Sequence, residues 1–89
     1  MIELAGRLDA GRLSAGLARR VRVFVDGDQP RGVVACDTHE GWADCRWRDE
    51  RGRFVTAAGV AVLTRLRGRV RVFVDRLDPD ELRRLEGRA

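Results

Sequence analysis

The chain has 89 residues, of which 44% are hydrophobic and 36% charged, and its formal net charge is +4. This length suits one small domain with a modest core and excludes a second domain. No apolar run approaches the roughly 18 residues of a membrane-spanning helix, and the balance of apolar and charged residues is that of a folded soluble chain.

All 18 basic residues are Arg. Lys, Asn and Tyr are absent, which reads as the codon bias of a GC-rich genome rather than a demand for guanidinium groups. The net charge favours acidic partners in general. Residues 1–20 do not read as a signal peptide, because Gly6, Gly11 and Gly16, with Glu3, Arg7, Asp9 and Arg12, interrupt any apolar stretch. Cytoplasmic synthesis with reduced thiols is therefore expected.

In chain order, residues 1–19 form a Gly-rich segment in which Leu4/Leu8 and Leu13/Leu17 have helical spacing. Two readings fit: a weak helix over Ala10–Arg19, or an arm that orders only against a neighbour. Residues 20–26 then read Arg-Val-Arg-Val-Phe-Val-Asp, and residues 69–75 repeat the same seven letters. Strict alternation of β-branched residues predicts two strands that bury their valines and turn Phe24 and Phe73 to the other face.

Residues 32–48 predict a hairpin turning near Gly41. The expected register sets Val34 opposite Trp47, Cys36 opposite Cys45 and Thr38 opposite Ala43, with all six on a mostly apolar face. Asp37, His39, Trp42, Asp44, Arg46 and Arg48 take the reverse. A turn at Asp49–Gly52 leads into a short strand over Arg53–Ala57, and Gly59 breaks or bulges the chain. A further hairpin is expected over Val60–Val74 around Gly68, with Val60, Val62, Thr64 and Leu66 sharing a face with Val70, Val72 and Val74.

The C-terminus carries the strongest helix signal. Asp78-Pro79-Asp80-Glu81 supplies an N-cap, a proline at the first helical position and the glutamate of a capping box. Leu82 and Leu85 line one face, and Gly87 is placed to end the helix. A helix this short must dock, and the sheet face bearing Phe24 and Phe73 is the expected seat.

Chemistry is sparse. Cys36, His39 and Cys45 form C-x2-H-x5-C, which lacks a fourth zinc ligand and matches no standard spacing. Cys36 and Cys45 in register could be disulfide-bonded, but two small buried hydrophobes are the preferred reading. No nucleophile elbow, phosphate loop or second His is present, so no catalytic residue, metal or cofactor is assigned. Arg65, Arg67, Arg69 and Arg71 gather at one turn, and Arg46 and Arg48 near another. Interleaved with aromatics, these arginines make a nucleic-acid-binding β domain the alternative reading.

The stretch Val33-Val34-Ala35-Cys36-Asp37-Thr38-His39-Glu40-Gly41-Trp42, with its continuation through Arg48–Arg53 to Gly68-Arg69-Val70-Arg71-Val72, resembles small uncharacterised proteins encoded among the structural genes of tailed bacteriophages and prophages. The resemblance covers about residues 20–75 and implies a virion or assembly component. The expectation is a mainly β protein, an antiparallel curved sheet or small sandwich or barrel with one short C-terminal helix. Its parts are an arm or weak helix at 1–19, a β domain at 20–77 and a helix at 78–87. The expected role is non-enzymatic: a capsid, connector or tail component in the virion, assembled in the host cytoplasm. Its partners would be copies of itself or other virion proteins, with no membrane. Leu4, Leu8, Leu13, Leu17, Phe24 and Phe73 are the candidate contacts.

Overall fold

The two Arg-Val-Arg-Val-Phe-Val-Asp segments meet side by side. The computed structural model describes residues 1–86. In it these segments supply strand β3 (Arg22–Val25) and strand β9 (Val70–Val74), paired antiparallel with Val23 opposite Val72 and Val25 opposite Val70. Val70, Val72 and Val74 are 4%, 0% and 1% exposed, so this valine face is the centre of the core. The alternation that predicted it works because a strand's side chains leave on opposite faces, and water is excluded from only one.

Between and around these lie β1 (Ile2–Leu4), β2 (Arg7–Asp9), a single 3-10 turn (Ala10–Arg12), helix α1 (Ala15–Arg20), β4 (Val33–Asp37), β5 (Trp42–Arg46), β6 (Thr56–Ala57), β7 (Val60–Ala61) and β8 (Leu63–Arg67), with helix α2 (Pro79–Glu86) last. Three strands form one sheet in the order β1-β9-β3, four form a second in the order β2-β4-β5-β8, and β6 and β7 form a separate ribbon. All pairings are antiparallel, and the protein is mainly β with open sheets rather than a closed barrel. The core lies between the two larger sheets. Leu8, Cys36 and Ala43 from the four-stranded sheet meet Val23, Val25, Val70 and Val72 from the three-stranded one.

Residues 1–9 are not an arm. β1 pairs with β9 and β2 with β4, so both strands are built into the sheets. Gly6, at φ +92°, turns the corner between them, and its amide donates to Thr38 Oγ1 at 2.7 Å. The positive φ is why Gly serves there. The helical reading holds only for residues 15–20, where the Ser14 hydroxyl accepts from the Leu17 amide as an N-cap.

The hairpin of β4 and β5 exists, but its register differs from expectation. Cys36 faces Ala43 and Asp37 faces Trp42, and a bulge between Val33 and Ala35 displaces the far end. The turn decides this. Asp37 Oδ1 accepts the His39 and Glu40 amides, the Gly41 amide donates to the Asp37 carbonyl, and Gly41 has φ +73°. Those bonds close the loop over Thr38–Gly41, one position earlier than alternation suggested. A two-residue slip keeps Cys36 and Ala43 on the expected face, so burial pattern alone cannot detect it, but beyond the bulge Val33 rather than the expected Val34 packs against the core.

The expected hairpin over Val60–Val74 does not form. β8 pairs with β5, while β9 lies in the other sheet. The chain crosses between layers at Gly68, whose amide donates to the Gly41 carbonyl. Val60 belongs instead to the β6–β7 ribbon and is 67% exposed. Each of β8 and β9 still points apolar residues inward, because both sheets face one interior.

Helix α2 begins as predicted. Asp78 Oδ1 accepts the Glu81 amide at 2.9 Å, and Glu81 Oε1 accepts the Asp78 amide at 3.3 Å. Its seat is not the Phe24/Phe73 face. Leu85 packs against the core, and α2 lies beside α1, where Arg20 donates to Glu81 Oε1 at 3.0 Å and to the Arg76 carbonyl at 2.9 Å. The predicted stop at Gly87 lies outside the described residues. No helix among the described residues is long and apolar enough to cross a membrane.

Candidate interaction surfaces

Among the described residues, four of the seven exposed large hydrophobic residues lie in the segment from Trp47 to Leu63. Past Arg46 the chain leaves the four-stranded sheet but stays hydrogen-bonded. The Trp47 amide donates to the Val62 carbonyl, Val55 to Trp47 and Val62 to Val55, at 2.8, 2.9 and 3.0 Å. These bonds carry the β6–β7 ribbon outward on a two-residue turn, Ala58 and Gly59, both with positive φ. Beside it, Asp49 Oδ1 accepts the amides of Arg51 and Arg53 and holds a second turn. Trp47, Val55 and Val62 line an open hollow between the two.

Val60 is 67% exposed, Trp47 56%, Leu63 46% and Phe54 40%. The sequence reading places Trp47 in the core. It lies instead one residue beyond the last paired position of β5, past the end of the opposing valine layer. Val60 was expected on the buried face with Val70, Val72 and Val74 and is instead exposed. The signal against that reading is Ala58-Gly59, which supports a tight ribbon too short to reach the core.

The outer face of the four-stranded sheet is built differently. Trp42 points away from the core yet is only 8% exposed. Arg65 covers it, its Cζ 4.0 Å from the indole centroid, and Arg7 lies at 5.6 Å. Arg65 Nε and Nη2 also donate to the two oxygens of Asp44 at 2.8 and 3.0 Å. That bidentate bond holds the Asp44 carboxyl below its usual range. Further along, Arg46 and Arg48 stack on Phe54, with Cζ 3.9 and 4.5 Å from its centroid.

The predicted contact residues divide. Leu8 and Leu17 are buried at 6% and 3%, and Leu4 packs against the core, so these are interior groups of this chain. Leu13 is half-buried beside α1 and α2. Phe24 and Phe73 do share the outer face of the three-stranded sheet, edge to face at 5.9 Å, and both are half-buried. Arg71 stacks on Phe73 and binds Glu3 at 2.7 Å. Its hydrogen bond holds the Glu3 carboxyl below its usual range.

The six predicted arginines are not brought together. The crossing at Gly68 sends Arg69 and Arg71 to the three-stranded sheet, while Arg65 and Arg67 stay on the four-stranded one near Arg46 and Arg48. Cys36 and Cys45 are both buried and are free thiols. The disulfide fails because the register places Ala43, not Cys45, opposite Cys36. Burial, with Asp37 nearby, pushes the Cys36 thiol up to about 11, and burial also raises Cys45.

No family model matches the chain, and no curated protein or solved structure matches it.

Proposed function

We propose that this chain is a non-enzymatic structural or assembly protein of a tailed-phage particle that works by contact with copies of itself or with neighbouring virion proteins. The virion setting rests on the sequence resemblance over residues 20–75. The contact mode rests on one observation: the segment from Trp47 to Leu63, which carries the β6–β7 ribbon, exposes Trp47, Phe54, Val60 and Leu63 on a chain whose own core is already filled. A lone domain gains nothing by projecting a ribbon of this kind into water. Packed on another subunit it adds the buried area that a chain of this size lacks.

The occupant we assign is a second copy of the chain or an adjoining virion subunit, seated over β6–β7 and Trp47. Light scattering coupled to size exclusion, over a range of protein concentrations and with particle proteins added, tests this. Association that Val60→Asp weakens while leaving the circular-dichroism spectrum unchanged is the expected result. A strictly monomeric chain that also ignores the particle proteins overturns the reading.

A further inference from the structure

We propose that the outer face of the four-stranded sheet binds the phosphodiester backbone of nucleic acid through Arg7, Arg46, Arg48 and Arg67. This goes beyond the assembly role and uses the sheet face beside the β6–β7 ribbon, the two adjoining at Phe54 and Arg48.

Guanidinium groups can be occupied in two ways; on this face Arg65 uses both, over Trp42 and on Asp44, whereas Arg46 and Arg48 use only one. Stacking on an aromatic ring engages the flat face of the guanidinium, whereas binding an oxyanion uses its in-plane N–H edge. Arg46 and Arg48 stack on Phe54, and Arg7 lies 5.6 Å from the Trp42 centroid, beside the Arg65 that covers the ring. None of the three, nor Arg67, has a carboxylate partner among the described residues. Phe54 thus holds the forks of Arg46 and Arg48 in place without an anion on either, and Arg7 and Arg67 are exposed and likewise unpaired. Arg46 Nε is buried and lacks a hydrogen-bond partner.

Of the carboxylates on the same face, Asp44 is paired with Arg65, whereas Asp37 and Asp9 accept only backbone amides, at His39 and Glu40 and at Gly11, and keep their charge. On the three-stranded sheet the stacked Arg71, unlike Arg46 and Arg48, already holds Glu3.

The spacing suits a chain of phosphates. Arg7 and Arg67 flank the row through Asp37 and Trp42, and Arg46 lies four residues further along β5. At about 3.4 Å per residue this is about 14 Å of strand, enough to follow several successive phosphates. Trp42 is covered by arginine and Phe54 is stacked by two, so the rings support the guanidinium groups and recognition is of backbone rather than sequence. A fixed row of forks fits evenly spaced phosphates better than the irregular carboxylates of an acidic protein.

Fluorescence anisotropy of the full chain with a labelled single-stranded oligonucleotide, and separately with its duplex, tests the proposal across a salt series. Binding in either arm is the expected result, and the tighter arm identifies the strand form. Four phosphate contacts give a slope of log affinity against log salt of roughly −3 to −4. The double variant Arg7→Glu, Arg48→Glu should weaken binding by about tenfold or more, because phosphate neutralisation supplies most of the affinity. Arg22→Glu, on the outer face of the other sheet, makes a charge change of the same sign and should have little effect. If the double variant loses its strand circular dichroism, Arg67→Glu replaces it. Val60→Asp should bind as the parent does, which separates this surface from the assembly ribbon. No binding at low salt overturns the proposal. So does an equal loss from Arg22→Glu, or polyglutamate competing as well as unlabelled oligonucleotide.

Discussion

The Gly68 amide donates to the Gly41 carbonyl at 3.0 Å, and a β-carbon added to Gly41 would lie 2.8 Å from the Gly68 carbonyl oxygen. Two turns far apart in sequence thus touch backbone to backbone, and that contact sits where the chain passes from one sheet to the other. Gly41 also has φ +73°, a conformation costly for any other residue. Gly41→Ala should destabilise the protein by about 1–3 kcal/mol, since strain and steric overlap act together. Chemical denaturation measures it. A loss below a few tenths of a kcal/mol would show that the two turns can separate freely.

The two buried thiols make stability fall in alkali. Lys and Tyr are absent from the chain, so between about pH 8.5 and 11 Cys36 and Cys45 are the only side chains that titrate. Cys36 is raised to about 11 in the fold, so there the folded state holds a proton that the unfolded state has lost. Its contribution is complete below the unfolded value and disappears as pH climbs through that window. The decline should reach about 2–3 kcal/mol, because each pH unit between the unfolded and folded values is worth about 1.4 kcal/mol. Denaturant midpoints across this window check it, and Cys36→Ala should flatten the curve. Both thiols should also resist a disulfide reagent in the native state and react at once when unfolded.

Acid acts on the other sheet face. The Asp44 carboxyl is lowered by its bond to Arg65, so this pair stabilises the fold above the ordinary carboxylate range and ceases to do so as pH falls below it. Asp44→Asn should therefore destabilise at pH 7 and matter little at pH 2. The same substitution frees Arg65 from one of its anchors over Trp42. In a Trp47→Phe background, the remaining tryptophan should become more accessible to acrylamide.

The C-terminal helix is tied down by Asp78 and Arg20. Asp78→Ala removes the cap on the Glu81 amide and should cost about 1 kcal/mol. That corresponds to a fall in Tm of about 4–8 °C for a domain of this size. Arg20→Ala breaks the links to Asp75, Glu81 and the Arg76 carbonyl together. A double-mutant cycle with Glu81→Gln should return coupling, because both substitutions act on the same contact.

Alternation and capping chemistry were readable in advance because they are local. The valines of β3 and β9, the turn at Asp49–Gly52 and the box at Asp78–Glu81 each depend on neighbours within a few residues. The candidate surfaces were harder to read. Phe24 and Phe73 were placed on the correct face, and Trp42 was assigned to the outer side. Nothing local told that Arg65 would cover Trp42, since these residues meet only once β8 pairs with β5. Leu8 and Leu17 read as interface because their segment looked too weak to fold. β9 and β4 supply the partners that make it fold.

Strand content, the buried valine face and the start of the last helix thus follow from residue order, because backbone geometry and short-range hydrogen bonds dictate them. Which strands adjoin, where Cys36 finds its opposite number, and which arginines pair with a carboxylate depend on the crossing at Gly68 and the turn at Asp37–Gly41. A period of two states which side of a strand is dry. It carries no information about which of two sheets, sharing one interior, that strand joins.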